Sequence, residues 1–370
     1  MRGPAADRRS TKRIAGVAAT ALAVLTLLTA RPASASAATL IQVYGAWLCG
    51  TDECTWATPP DMTAFDSGNH WLIDRGDGTP SVNLVVLAFV NPLKLLNQTT
   101  DSGDVNGVPA GMTSAVVNYF TSHGVRVMLS IGGVTYTGDW DTALSQNASQ
   151  LGRNAATIAK QLGVGIEIDY ENGSNPNLTG LQSFITAYRS QQPYDATGTN
   201  PAARLTIDLA AGDQYLTDLA RYATQNWLTT SNPVLDYANA MVANKQLSTS
   251  KQEEQWQEHI SGEPQYGPPV PPLAPAKFTG SVYIAGTSQV PPECDNFSAS
   301  LESSTGSFVQ NAAPSGAGTT PGMLGYMFWA AGQPSAHGTT TFPPGTCQGG
   351  VGIGSSTYAV PVPMPALRQS

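Results

Sequence analysis

Charge is scarce in this sequence. Asp, Glu, Lys and Arg make up 12% of its 370 residues, against about 25% in ordinary globular domains. What charge there is leans acidic, with a formal net charge of −8. That balance argues against nucleic acid and anionic membranes as partners, since both need basic patches. Histidine is rare too: His70, His123, His259 and His337 are scattered without ligand spacing, so no metal or other cofactor is expected. Cysteine is limited to Cys49, Cys54, Cys294 and Cys347. A Gly-x-Ser-x-Gly elbow, a Walker loop and a His-Glu-x-x-His helix are all missing, which removes serine-hydrolase, P-loop and zinc-protease chemistry. No Gly-rich turn follows the first strand, so a dinucleotide-binding sheet is disfavoured.

The N-terminus has a different character from the rest. Arg2, Arg8, Arg9, Lys12 and Arg13 precede an apolar run, Ile14–Leu28, and then the small-residue stretch 32–37. A basic start, a short apolar centre and an Ala-x-Ala exit predict a secretory signal peptide over residues 1–37. The run falls short of the about 20 residues that span a bilayer. Its removal takes away six positive residues and one negative one, moving the net charge from −8 to −13. The expected product is extracellular and monomeric, without membrane attachment. An even cysteine count in a secreted chain predicts disulfides. Of the three possible pairings the neighbours are preferred: Cys49 with Cys54, and Cys294 with Cys347.

Beyond the leader, short apolar strands alternate with helical segments. Strands are expected at Thr39–Trp47, Val82–Val90, Val125–Ile131, Gly165–Tyr170, Leu205–Ala210, Leu235–Val242, Gly280–Ala285 and Met323–Trp329. Helices are expected at Met112–His123, Asn154–Leu162, Leu181–Gln191, Tyr215–Leu228 and Lys251–Ile260. Eight strands in order, mostly separated by helices, predict an α/β fold, a single-domain (β/α)8 TIM barrel over residues 38–332. The proline-crowded stretch Gly262–Pro275 reads as an irregular helix-to-strand connection. Residues 333–370, rich in Gly, Thr and Pro, read as a tail wrapped on the barrel and fastened by Cys347.

The most informative stretch is Val164-Gly-Ile-Glu-Ile-Asp-Tyr-Glu-Asn172. Strand side chains alternate faces, so Glu167, Asp169 and Glu171 share one face and Ile166, Ile168 and Tyr170 the other. The apolar face suits the helix layer, which aims the acids into the barrel at a strand end, where barrel enzymes place catalytic groups. Acids this close raise one another's pKa, so one holds a proton near neutral pH, as a general acid must.

This stretch is similar to the signature of glycoside hydrolase family 18, Asp-Gly-x-Asp-x-Asp-x-Glu, with Gly165, Asp169 and Glu171 in register. Val127–Gly133 resembles the family's Ser-x-Gly-Gly strand at Ser130, Gly132 and Gly133, and Gly325–Trp329 resembles its eighth strand. Glu171–Ser174, Val43-Tyr44 and Ala88-Phe89 resemble the plant-type, hevamine-like branch. The resemblance implies a chitinase-like enzyme cleaving β-1,4-linked N-acetylglucosamine by substrate-assisted retaining hydrolysis, an exception to the two-carboxylate scheme. Glu171 would be the acid and then the base, and Asp169 would hold the substrate acetamide. Glu167 would support Asp169, close enough to bond it. Trp329 would lie beneath the reacting sugar, with Tyr44 and Phe89 lining the same pocket and Met241, Asn244 and Gly133 at flanking positions.

Three positions depart from the family pattern. Val164 replaces the first Asp and Glu167 the second. On the sixth strand, Ala243 stands where the family has a Tyr that holds the acetamide oxygen. Loss of that hydroxyl predicts slower turnover unless a tyrosine from a loop substitutes, because misplacement is expensive in rate. A non-catalytic chitooligosaccharide-binding barrel and an endo-β-N-acetylglucosaminidase acting on glycan cores are the alternatives. Trp56, Trp140 and Trp256 could extend a sugar cleft, although an isolated Trp is more often core.

Overall fold

The computed structural model describes residues 43–49, 54–74, 78, 80, 82–212, 215–241, 249–283, 308, 322–331, 346–347 and 351–352. Eight strands close a parallel barrel in chain order: β1 (Val43–Cys49), β2 (Leu84–Val90), β3 (Arg126–Gly132), β4 (Gly165–Asp169), β5 (Leu205–Leu209), β6 (Ala238–Ala240), β7 (Phe278–Tyr283) and β8 (Gly325–Ala331). Between them run α1 (Met62–Ile73), α2 (Pro92–Asn97), α3 (Ser114–Thr121), α4 (Thr137–Leu162), α5 (Leu178–Gln191), α6 (Thr217–Asn226) and α7 (Thr249–Ser261). The chain is a (β/α)8 barrel, as the strand count predicts.

Several elements differ from their sequence-based expectation. Neither α1 nor α2 is expected, yet both carry capping signals. Asp61 Oδ1 accepts the N–H groups of Thr63 and Ala64 at 3.0 and 2.9 Å, and Asn91 caps α2 ahead of Pro92. A small hairpin, Asp104–Val105 with Val108–Pro109, follows α2. The predicted helix from Asn154 is the last part of α4, which breaks at Asn147, where φ is −163° and ψ 74°. Asn147 Oδ1 accepts the Gln150 N–H at 3.0 Å and so starts the second half. Strand β6 is only three residues long. The proline-rich stretch lies between α7 and β7, as expected, with one bridge from Glu263 to Val270.

Strand alternation divides the core in two. Tyr44, Ala46, Leu48, Val85, Leu87, Val127, Leu129, Ile166, Ile168 and Tyr170 pack between the barrel and its helices. Val43, Trp47, Leu84, Val86, Met128, Tyr237 and Met327 form a second, smaller cluster inside the barrel. Trp56, Trp140 and Trp256 are core residues of the outer layer. Cys49 and Cys54 form the expected disulfide. The signal segment, Ala243, Asn244 and Cys294 lie outside the described residues. From the tail only the ladder of Thr346–Cys347 with Val351–Gly352 is described.

Candidate active site

The interior of β1, β2 and β8 is apolar, but across β3 to β7 it turns polar. Ser130 pairs in register with Glu167, Glu167 with Thr206, Asp208 with Asn239, and Asn239 with Thr279. All six side chains are buried. This belt leads into a cavity of about 400 Å³ lined by Trp47, Cys54, Phe89, Val134, Thr135, Tyr136, Asp169, Glu171, Asp208, Met241 and Trp329. Such a volume suits a small ligand or one unit of a chain.

Glu167 and Asp169 point inward from β4, and Glu171 follows just beyond the strand end at the cavity wall. Glu167 sits deepest. Its carboxyl accepts the Trp47 indole N–H at 2.8 Å and the Asn239 amide at 2.6 Å. Thr279 Oγ1 in turn bonds Asn239 Oδ1 at 2.6 Å, fixing the amide's orientation. The expected bond from Glu167 to Asp169 is not made. Both Glu167 oxygens are held by strands β1 and β6, and Asp169 Oδ1 is buried with no hydrogen-bond partner among the described residues.

Glu171 is placed by its chain neighbours. Tyr170 bonds the carboxylate of Asp141 in α4, and the Asn172 amide reaches the same carboxylate at 3.1 and 3.0 Å. The Tyr170 hydroxyl also accepts the Asn177 N–H at 2.8 Å, at the start of α5. Glu171 therefore projects from a segment pinned on both sides.

Four carboxyls thus meet here: Glu167, Asp169, Glu171 and Asp208. None of the ion pairs among the described residues includes any of them. Burial drives all four pKa values upward. For Asp169 the charges of Glu171 and Glu167 add to burial, and for Asp208 those of Glu167 and Asp169 do so. For Glu167 the rise is opposed by the bonds from Trp47 and Asn239, and for Glu171 by Tyr215 and the Val134 N–H. Each of these rises favours the protonated form, which is the form acid catalysis uses.

A raised folded-state pKa makes stability depend on pH with a definite sign. Asp208 contributes fully below its unfolded value of about 3.9, and the contribution is lost as pH rises through the folded value. Asp208→Asn removes that penalty. Its melting temperature relative to wild type is expected to be more favourable at pH 8 than at pH 5. Thermal scans giving the same difference at both pH values would contradict the assignment.

The aromatic residues are arranged partly as expected. Trp329 and Phe89 lie near-parallel, centroids 5.7 Å apart, and Trp47 meets Trp329 edge-on at 6.2 Å. Tyr44, expected in the pocket, is instead in the outer core against Phe328 at 5.0 Å. Period-two alternation puts Trp47 on the inner face of β1 and Tyr44 on the outer. Gly133 is near the cavity without lining it: its N–H bonds the Asp169 carbonyl at 3.0 Å, and a Cβ there would come within 3.2 Å of the Phe89 ring. Val164 is fully buried in the outer core. Sequence reading missed Asp208, although Leu205-Thr-Ile-Asp-Leu209 shows the same alternation as β4. It also missed Asn239, Asp141 and Tyr215.

No family model matches the chain, and no curated protein does. Solved structures resembling it include a family 18 chitinase from Pseudoalteromonas aurantia, with 14% identity, covering 78% of this chain and 94% of that one, at a TM-score of 0.47. A chitinase from Rhizomucor miehei has 14% identity, the same coverage and a TM-score of 0.48. A family 18 chitinase from Cycas revoluta in complex with allosamidin has 13% identity, 78% and 94% coverage and a TM-score of 0.45. The likeness is one of barrel architecture.

Proposed function

We propose that this protein is a secreted glycoside hydrolase that cleaves β-1,4-linked N-acetylglucosamine chains by substrate-assisted, retaining hydrolysis. The observation that carries the reading is a cluster of four carboxyls, three of them (Asp169, Glu171 and Asp208) lining a cavity walled by Trp329 and Phe89, with no ion-paired cation among the described residues. A site that only bound neutral sugar would gain nothing from burying acids without counter-charge, since that burial is costly.

In the proposed reaction, Glu171 gives its proton to the leaving glycosidic oxygen. The 2-acetamido oxygen of the substrate attacks the anomeric carbon, forming an oxazolinium ion as the glycosidic bond breaks. Asp169, whose Oδ1 is buried with no hydrogen-bond partner among the described residues, turns so that its carboxylate accepts the acetamide N–H and offsets the positive charge. Glu171, now a carboxylate, takes a proton from water as the water opens the oxazolinium ring. Asn239 and Trp47 keep Glu167 fixed behind Asp169. The Trp329 ring face suits the C–H face of a pyranose.

The test is hydrolysis of chitotetraose by residues 38–370, followed by proton NMR. Release of the β-anomer before mutarotation is the expected result. First appearance of the α-anomer would exclude retention. Binding without turnover, on both chitotetraose and an N-glycan core, would leave a carbohydrate-binding barrel in place of an enzyme. Turnover of the core alone would indicate an endo-β-N-acetylglucosaminidase.

A further inference from the structure

Tyr215 comes from the connection between β5 and α6, where the family resemblance assigns no role. Its hydroxyl lies 2.7 Å from the main-chain carbonyl oxygen of Glu171 and 3.4 Å from Glu171 Oε2. Its ring rests on Gly173, where a Cβ would come within 2.7 Å of the ring carbons. The next residue, Leu216, is buried in the core and anchors this approach. Tyr215 itself is 39% exposed, so it reaches Glu171 from the surface and not from the fold's interior.

We propose that Tyr215 is the positioning residue for Glu171, docked on Gly173 so that its one hydroxyl serves the acid in both protonation states. This rests on the hydrolase reading above. With Glu171 protonated, the tyrosine O–H donates to the Glu171 carbonyl. Once Glu171 has given up its proton, the same O–H turns to Oε2 and steadies the carboxylate that must activate water. The rotation moves one hydrogen and breaks no covalent bond. The hydroxyl keeps its proton throughout, because burial and the charge of Glu171 push its pKa up to about 12.

The groups facing Glu171 are Asp169 from β4, Asp208 from β5, Tyr136 and the Val134 N–H from the segment after β3, and Tyr215, with Glu167 acting on it only through Asp169 and Asp208. Of these only Tyr215 and the Val134 N–H oppose the upward pull of burial on Glu171. Removing the tyrosine hydroxyl therefore shifts the acid in one direction, toward higher pH.

Tyr215→Phe is expected to lower kcat about tenfold with KM within about twofold, and to move the basic limb of kcat/KM to higher pH. Gly173→Ala should do the same by lifting the ring off. The double variant should be no worse than either single one, because both act through one contact. A titration of the Glu171 carboxyl carbon by NMR in labelled protein reads the effect without turnover. Its inflection should rise in Tyr215→Phe. An unmoved inflection, or multiplied losses in the double variant, would overturn the positioning role. If the wild type hydrolyses no chitooligosaccharide, the hydrolase reading fails, while the NMR titration still decides whether Tyr215 governs Glu171.

Discussion

Glu171→Gln is expected to reduce kcat on a chitooligosaccharide by about 10³-fold and to leave sugar binding within about threefold. The amide keeps the shape of the side chain and its contacts with Tyr215 and Val134, so the pinned segment between Tyr170 and Asn172 should hold its place. What disappears is the transferable proton. Nothing nearby replaces it readily: Asp169 is committed to the acetamide in the proposed reaction, Glu167 is locked by Trp47 and Asn239, and Asp208 is buried. Because burial raises the pKa of Glu171, wild-type activity should fall on the alkaline side as the acid form is lost. Turnover of a fluorogenic chitotrioside, with quenching of tryptophan fluorescence as the binding readout, checks both halves. A loss smaller than tenfold would take the acid role away from Glu171.

The second large effect concerns the fold around the site. Gly132 ends β3 with φ +126°, a region that side chains avoid. A Cβ there would overlap the carbonyl oxygen of Asp169, and the indole nitrogen of Trp140 is also too close. That carbonyl is an organising point: it accepts the Trp140 indole N–H at 3.1 Å and the Gly133 N–H at 3.0 Å. The two bonds draw the ends of β3 and β4 together and set the direction in which Asp169 leaves the strand. Gly132→Ala must push the strands apart, strain the backbone and strip a buried carbonyl of its partners. Its cost is expected at about 4 kcal/mol, which lowers Tm by roughly 5 °C in a chain of this size. Activity should be lost with it even below the new Tm. Calorimetry showing a Tm within 2 °C (roughly the effect of a surface change) would refute this account of the Gly-Gly motif.

The acid-bearing strand was legible because its two faces contrast. Glu167 and Asp169 alternate with Ile166 and Ile168, and only one arrangement keeps the isoleucines against the helices. Strand β5 offered the same contrast at Thr206 and Asp208, so Asp208 was within reach of the same reasoning. Strand β1 was not, since all seven of its residues are buried. With both faces apolar, alternation says that Tyr44 and Trp47 point opposite ways but not which one faces inward. Helix α2 was missed for a different reason: six residues give too little periodicity, and only Asn91-Pro92 marks its start. Tyr215 was read as the first residue of a helix that in the structure begins only at Thr217, so no helical face told where its ring points.

From the sequence by itself came the eight-stranded order, the column of acids on one face of β4 and the close disulfide of Cys49 with Cys54. These are local properties, determined by the two-residue repeat of a strand and by short chain separations. Tertiary structure alone decided that Trp47 and Asn239 claim Glu167, that Asp208 joins the acids and that Tyr215 stands over Glu171. Trp47 and Glu167 are 120 residues apart, and Asn239 and Glu167 are 72 apart. Contacts over such distances are set by the closing of the barrel, which chooses the inner face of every strand at once.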